Sequence, residues 1–244
     1  MPLLNNFEDI YNIFYINLEH REDRHAHVLN QLEVMGMKDK SKRFNAIKMI
    51  NGIVGCGMSH LKILQNAHEN LFDHILIMED DITFIEPNTL KTQFNKFIAT
   101  HKNNWDVILL GGNVIDFDDI DETCIKVNKC LCATGYLVNG HYIQTLINNI
   151  QIGLKYLIKR PLYKHLYAID VFWWGLQYKD NWYLITPLTV TQMESYSDIE
   201  HKITNYVTKM TTFGNVTKYI ENNTDINIKH TDDIMETIIM LNGG

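Results

Sequence analysis

The stretch HILIMEDDITF, residues 74–84, carries a short apolar run straight into three consecutive carboxylates. Ile75, Leu76, Ile77 and Met78 form the run, the pattern of a strand buried on both faces of a parallel sheet. Glu79, Asp80 and Asp81 follow at its carboxyl end. Charges there are costly unless something compensates them. In open α/β sheets that edge is also where ligands bind. Hard oxygen donors suit Mg²⁺ or Mn²⁺, and such an ion commonly serves a phosphate. The plainer reading of the same triplet is a solvated acidic turn after a strand.

Composition sets wide bounds around this strand. The chain has 244 residues, of which 45% are hydrophobic and 11% aromatic, enough to bury the core of one large α/β domain. A formal net charge of -7 argues against general nucleic-acid binding, which needs a basic surface. It leaves room for a nucleotide site, where one metal ion supplies the positive charge. The cysteines, Cys56, Cys124, Cys130 and Cys132, have no C-x-x-C spacing, and no signal-like segment precedes the first apolar strand. A disulfide framework is therefore not expected. No apolar run is long enough to span a bilayer. The expectation is a soluble cytoplasmic or intracellular protein without a membrane span. Cys56 and His60 are spaced to share a helix face as zinc ligands would, but no second pair has matching spacing.

Along the chain, strand and helix patterns alternate. Strands are expected over residues 10–18, 43–47, 75–78, 105–110, 130–138 and 182–185. Helices are expected over 21–35, ended by Gly36, over 59–71, over 88–100 after Pro87, over 140–150 and over 168–178. In the helix at 59–71, Leu61, Leu64, Ala67, His68 and Leu71 should face the core. Gly52, Gly55 and Gly57 read as a loop before it, and Gly111-Gly112 as the end of the strand at 105–110. This order predicts a mostly parallel, doubly wound sheet with right-handed crossovers. Residues from about 201 onward, rich in Thr, Asn, Ile and Lys, read as a helical appendage.

Several segments, taken together, resemble glycosyltransferase family 25. They are FYINLEHREDR at 14–24, GCGMSHLKIL at 55–64, ILIMEDDI at 75–82, WDVILLGG at 105–112, TGYLVNGHYIQTL at 134–146, AIDVFW at 168–173 and SDIEH at 197–201. The family includes bacterial lipooligosaccharide galactosyltransferases and procollagen galactosyltransferases. The resemblance covers roughly residues 11–201. It implies a single GT-A-like, Rossmann-type domain at 1–201, with the appendage at 202–244 packed on it. It further implies a UDP-sugar donor, a divalent metal (Mn²⁺ or Mg²⁺), and a glycan or hydroxylysine-bearing protein as acceptor of galactose or glucose.

Roles for individual residues follow from the residue chemistry and this resemblance together. Glu79 and Asp81, two apart in an extended segment, project to one side and can converge on one ion. Asp80 then points elsewhere, toward sugar or ribose hydroxyls. Asp198 can close the metal site from the far side of the fold, with His201 a weaker candidate; the S-D-I-E setting equally suits Asp198 as a helix N-cap. Asn17 and Arg21, favoured over Arg24, are expected to bind the donor, arginine being suited to forked bonding with phosphate. The alternative is a solvated helix start with Glu22 and Asp23 pairing the arginines.

Gly55 should allow close backbone approach, and a helix start at Ser59 should offer free N–H groups, so Ser59 and His60 join the donor set. Cys56 reads as a small buried residue rather than a nucleophile. Trp173 and Trp174 suit either a wall for a sugar ring or the core. Asp170, in Tyr167-Ala-Ile-Asp-Val-Phe-Trp-Trp, is the expected general base of an inverting transfer; otherwise it is an N-cap. Two other classes use the same residues. One is a metal-dependent nucleotidyltransferase or phosphohydrolase. The other is a non-catalytic relic that binds nucleotide or glycan.

Overall fold

The apolar run at residues 75–78 lies in the interior of the sheet, with paired strands on both sides. The structure, a computed structural model, describes residues 4–197 and 202–213. In chain order its elements are β1 (Ile13–Asn17), α1 (Glu22–Val34), β2 (Ser41–Asn45), α2 (Gly52–Glu69), β3 (His74–Glu79), β4 (Ile82–Phe84) and α3 (Pro87–His101). These are followed by β5 (Val107–Asp119), β6 (Cys124–Asn139), α4 (Ile143–Lys159), α5 (Lys164–Tyr167), α6 (Ile169–Phe172) and α7 (Trp174–Lys179). The last are β7 (Trp182–Ile185), β8 (Val190–Gln192), β9 (Ser195–Ser197), β10 (Lys202–Thr204) and α8 (Val207–Thr211).

The main sheet has the order β2-β1-β3-β6-β5-β7. Neighbours run parallel except where β6 pairs antiparallel with β3 and β5. The expected α/β architecture, a mostly parallel sheet flanked by helices, is the one observed. Side chains of β3 alternate between two cores, as a strand's two-residue period requires. Ile75 and Ile77 join the core made with Ile63, Leu64 and Ala67 of α2 and Leu146, Ile150 and Leu157 of α4. Leu76 and Met78 join the other, with Val28 and Leu32 of α1 and Leu90, Phe94 and Phe97 of α3. Burial on both faces explains the continuous apolar run. Parallel pairing also brings strand ends together: Glu79 lies opposite Ile16, and Asn17 opposite Asn45.

Local signals end α1 as expected. Gly36 takes φ +66, Met37 N–H bonds the Leu32 carbonyl at 2.8 Å, and Gly36 N–H bonds Glu33 at 2.9 Å, a Schellman cap. Elsewhere the expectations need correction. Helix α2 starts at Gly52, capped by the Asn51 side chain on Ile53 N–H, so Gly55 and Gly57 lie inside it. They are packing glycines: a Cβ at Gly55 would collide with the Ile47 carbonyl oxygen, and one at Gly57 would press on Leu154 of α4. Within α2, Ile63 faces the core while His68, and Leu71 just past the helix end, are exposed.

Strand β5 does not end at Gly111-Gly112. It runs through both, paired with β6 as far as Asp119; Val190 fills the space a Cβ at Gly111 would take, and Cys130 Sγ that at Gly112. The helix expected over 168–178 is broken at Trp173. Strands β8 and β9, not read from the sequence, exist through pairing: β8 with β4 and β9 with β10. Within the expected C-terminal appendage, β10 completes that pair and α8 packs against β8 and β5, with Met210 fully buried. Residues 198–201, which include Asp198 and His201, and residues 214–244 lie outside the described residues. Among the described residues, no helix is long and apolar enough to cross a membrane.

Candidate active site

The carboxyl edge of β1 and β3 opens into a cleft of about 570 Å³, within the usual range for small-ligand sites. Glu79, Asp80, Asp81 and Asp170 line it, as do Arg21, Arg24, Lys48, Lys164 and His165. The site thus gathers acidic groups beside a basic rim, as recognition of an anion through a cation would require.

The triplet sits where β3 turns into β4. That turn is braced from behind, since Met193 N–H after β8 donates to the Asp81 carbonyl at 2.7 Å. Arg24 Nη1, from the first turns of α1, donates to both Asp80 Oδ1 and Asp81 Oδ2 at 3.0 Å, and its Nη2 reaches Ser195 Oγ at 2.8 Å. Asn17 Nδ2 donates to Asp80 Oδ2 at 2.6 Å, while Asn17 Oδ1 accepts from Arg43 at 2.6 Å. Asn17 is 1% exposed, so it acts as a bracket that fixes Asp80. Arg21 forms a forked pair with Asp23, at 2.9 and 2.8 Å, and reaches the Tyr196 carbonyl. The pairing of Arg21 with Asp23, the plainer alternative for this turn, is present, yet Arg21 still lines the cleft.

Glu79 faces α2. His60 Nε2 stands 3.5 Å from Glu79 Oε1, Cys56 Sγ donates to the same oxygen at 3.6 Å, and Gln192 Nε2 donates to Oε2 at 3.3 Å. The ring of His60 is fully buried and its Nδ1 is bonded to Tyr136 OH at 2.8 Å. Ser59 Oγ donates to the Gly55 carbonyl at 2.8 Å and accepts from Ile47 N–H at 2.9 Å. Neither residue is at a helix start, so the free N–H groups expected there are absent; both lie about two turns inside α2. Gly55 does not line the cleft. Its part is to let the segment at 47–49, which does line it, lie against α2.

Burial acts differently on each acid. It pushes Asp81 up to about 7, reinforced by the Glu79 charge and opposed by Arg24. It raises Asp80 against Arg24 and Asn17. For Glu79, burial is outweighed by His60, Arg24 and Cys56, which hold it below the ordinary value. Asp170, near the start of α6, is raised by burial although the Cys132 amide opposes this.

That amide is the partner of Asp170: Cys132 N–H donates to Asp170 Oδ2 at 3.0 Å. The residue at the N-cap of α6 is Ala168, so the N-cap alternative for Asp170 is not what the carboxylate does. Cys132 has φ 75 and lies where the β5–β6 register slips between Gly111↔Gly135 and Asn113↔Leu131. A bulge with a strained residue is a common way to aim a group into a site. Trp173 packs in the core against Tyr136 and Trp182, and Trp174 donates to the Cys130 carbonyl; neither lines the cleft.

The sequence expectation places Arg24 below Arg21 and does not include Gln192, Ser195 or Cys132. The signal for Arg24 was its place one helical turn after Arg21; the others offered none. A divalent cation fits the donor set. The cleft supplies carboxylate oxygens, and Asp81 Oδ1 is buried without a hydrogen-bond partner. Glu79 is contacted by His60 and Cys56, and Asp81 by Arg24. Among the described residues, no trio of ligand atoms within 4.8 Å includes both, whereas Cys56, His60 and Glu79 form one. Asp198 falls outside the described residues.

The profile of the family described as Glycosyltransferase family 25 (LPS biosynthesis protein) matches residues 35–173, a span that holds Gly55–His60, the acidic triplet and Asp170. Procollagen galactosyltransferase 1-A of Xenopus laevis is 25% identical over 170 residues, covering 56% of this chain and 28% of that protein. A glycosyltransferase 25 family member of Aedes aegypti is 24% identical over 191 residues, covering 67% and 30%. The chain thus spans less than a third of the length of these relatives. Among solved structures, the mannose-1-phosphate geranyltransferase of Thermus thermophilus overlays with a TM-score of 0.46 at 8% identity, covering 72% of this chain and 73% of that one.

Proposed function

Because the chain belongs to glycosyltransferase family 25, we propose that it is a metal-dependent inverting glycosyltransferase. It moves galactose or glucose from a UDP-sugar to a glycan or to a hydroxylysine-type protein acceptor. The observation that carries this reading is a cleft at the strand ends, lined by the triplet Glu79–Asp81 and by Asp170. The galactosyltransferase name of the Xenopus relative makes galactose the first sugar to test.

Glu79 and Asp81 are the residues to hold Mn²⁺ or Mg²⁺, with Asp198 as a third. When bound, the cation supplies a Lewis acid that neutralises charge on the departing pyrophosphate. Arg21 and Arg24 add fixed positive charge for the phosphates. Asp80, clamped by Asn17, is oriented toward donor hydroxyls. Asp170 takes the proton from the acceptor hydroxyl as that oxygen bonds to the anomeric carbon and the bond to UDP breaks. The Cys132 amide holds the Asp170 carboxylate in place. Attack from the face opposite UDP turns an α-linked donor into a β-linked product.

The test is a donor screen. Purified protein, Mn²⁺, acceptor sugars and a panel of nucleotide sugars are mixed, and released nucleotide is measured. UDP should appear with UDP-galactose or UDP-glucose, vanish in chelator and return with Mn²⁺. Phosphate-ester or nucleotide turnover without any sugar acceptor would favour a nucleotidyltransferase or phosphohydrolase instead. Nucleotide binding without turnover of any donor would indicate a relic.

A further inference from the structure

A second set of ligand-type side chains lies outside the cleft. His101 ends α3, Asp121 sits in the turn between β5 and β6, and Cys124 opens β6. His101 Nε2 is 2.8 Å from Asp121 Oδ2. Cys124 Sγ is 3.8 Å from His101 Nε2 and 3.8 Å from Asp121 Oδ1. Tetrahedral zinc, with bonds of about 2.0–2.3 Å to nitrogen, oxygen and sulfur, sets its ligand atoms roughly 3.3–3.6 Å apart. The observed separations straddle that range, so small side-chain shifts make room for the ion.

The set is braced before any ion arrives. Thr123 N–H and Oγ1 and Cys124 N–H all donate to Asp121 Oδ1. The His101 ring stacks on Phe97 at 4.5 Å and leans on Tyr183 at 5.4 Å. Such outer contacts orient metal ligands. A cation is also favoured at the carboxyl end of a helix, where His101 stands. Cys124 is buried, while the side chains of His101 and Asp121 are 14% and 30% exposed. An ion therefore has a way in past Asp121, and water a place as fourth ligand. A nucleophile triad does not fit, because the same ring nitrogen faces both thiol and carboxylate, whereas a triad needs one nitrogen for each.

We propose that His101, Asp121 and Cys124 bind a zinc ion that ties the end of α3 to the turn of the β5–β6 hairpin. Binding releases the Cys124 thiol proton, and thiolate plus carboxylate then balance the charge of the ion. A sulfur and nitrogen set selects zinc over Mg²⁺ or Mn²⁺, which separates this site in chemistry from the donor cation.

The test must also set aside Cys56, His60 and Glu79, which offer a similar trio beside the cleft. The full chain, reduced and stripped of metal, is titrated with Co²⁺ and watched for thiolate-to-cobalt charge transfer; zinc should then displace the cobalt. In a Cys56→Ser background the absorption should persist, and adding Cys124→Ala or His101→Gln should remove it. Zinc should raise the melting temperature of Cys56→Ser and leave the double variants unmoved. His101→Gln decides the matter if Cys124→Ala fails to fold. The proposal is overturned if Cys56→Ser shows no cobalt–thiolate absorption, or if that absorption survives loss of His101 or Cys124.

Discussion

Asp81 is an acid that the folded chain is better off keeping protonated when no cation is bound beside it. Its carboxyl is raised from 3.8 to about 7 by burial and the Glu79 charge. Between those values the folded chain holds a proton that the unfolded chain has released, so stability falls as pH rises through the window. Above it the penalty is complete. Asp81→Asn should therefore melt higher than the wild type at about pH 8 in chelator, with the gap closing toward pH 4. Mn²⁺ should stabilise only the wild type, and Asp81→Asn should lose most transfer. Parallel melting curves for both proteins across this range would show that Asp81 does not hold its proton in the folded chain up to about 7. For Asp170 the sign concerns rate. A base must be unprotonated, so transfer should switch on as pH rises through its raised value, with the acid limb above the 3.8 of an ordinary aspartate. Asp170→Asn should cut transfer by about 10²–10⁴ and leave UDP affinity nearly intact, as read by product formation and calorimetry. Near-normal transfer by that variant, or an α-linked product by NMR, would exclude Asp170 as the inverting base.

Helix α2 shows how one element sets the shape of the cleft. Two forces compete at Gly55. Alanine would gain about 1 kcal/mol of helix propensity over glycine. Against that, its Cβ would strike the Ile47 carbonyl oxygen, a backbone atom that cannot rotate away. Overpacking typically costs about 1–3 kcal/mol, so the clash should win. Gly55→Ala should lower stability in urea melts and, by displacing the segment at 47–49, weaken UDP binding. A variant as stable as the wild type would show that this segment yields freely. The same helix marks the limit of local reading. Glycines commonly mark turns, and only the neighbours packed against Gly55 and Gly57 reveal that these two belong inside a helix. Strand β3, the stop of α1 at Gly36 and the start of α3 at Pro87 were legible because burial period, cap and proline act within a few residues.

Across the whole molecule, the chain closes over its own site late in the sequence. Strand β9, paired with β10, meets both arginines: Ser195 Oγ accepts from Arg24, and the Tyr196 carbonyl accepts from Arg21. Helix α8 secures this region against β8 and β5 through the fully buried Met210, and Phe213 packs on Phe117 at 5.0 Å. Met210→Ala should cost about 2–5 kcal/mol by chemical denaturation and lower donor affinity through the loosened arginines. An unchanged unfolding midpoint would mean that α8 is not part of the cooperative unit. By itself the sequence determined the α/β class, the buried strand leading into the triplet, and which acids and arginines were candidates. Those are consequences of periodicity and residue type, which neighbours in the chain are enough to express. The tertiary structure alone decided that Arg24 grips Asp80 and Asp81 across 56 and 57 residues, and that the Cys132 amide meets Asp170 across 38. It also decided that β8 and β9 form at all. Strands of three residues persist only through their partners, and a bulged amide points where the register of two strands sends it; neither is encoded by the few residues around it.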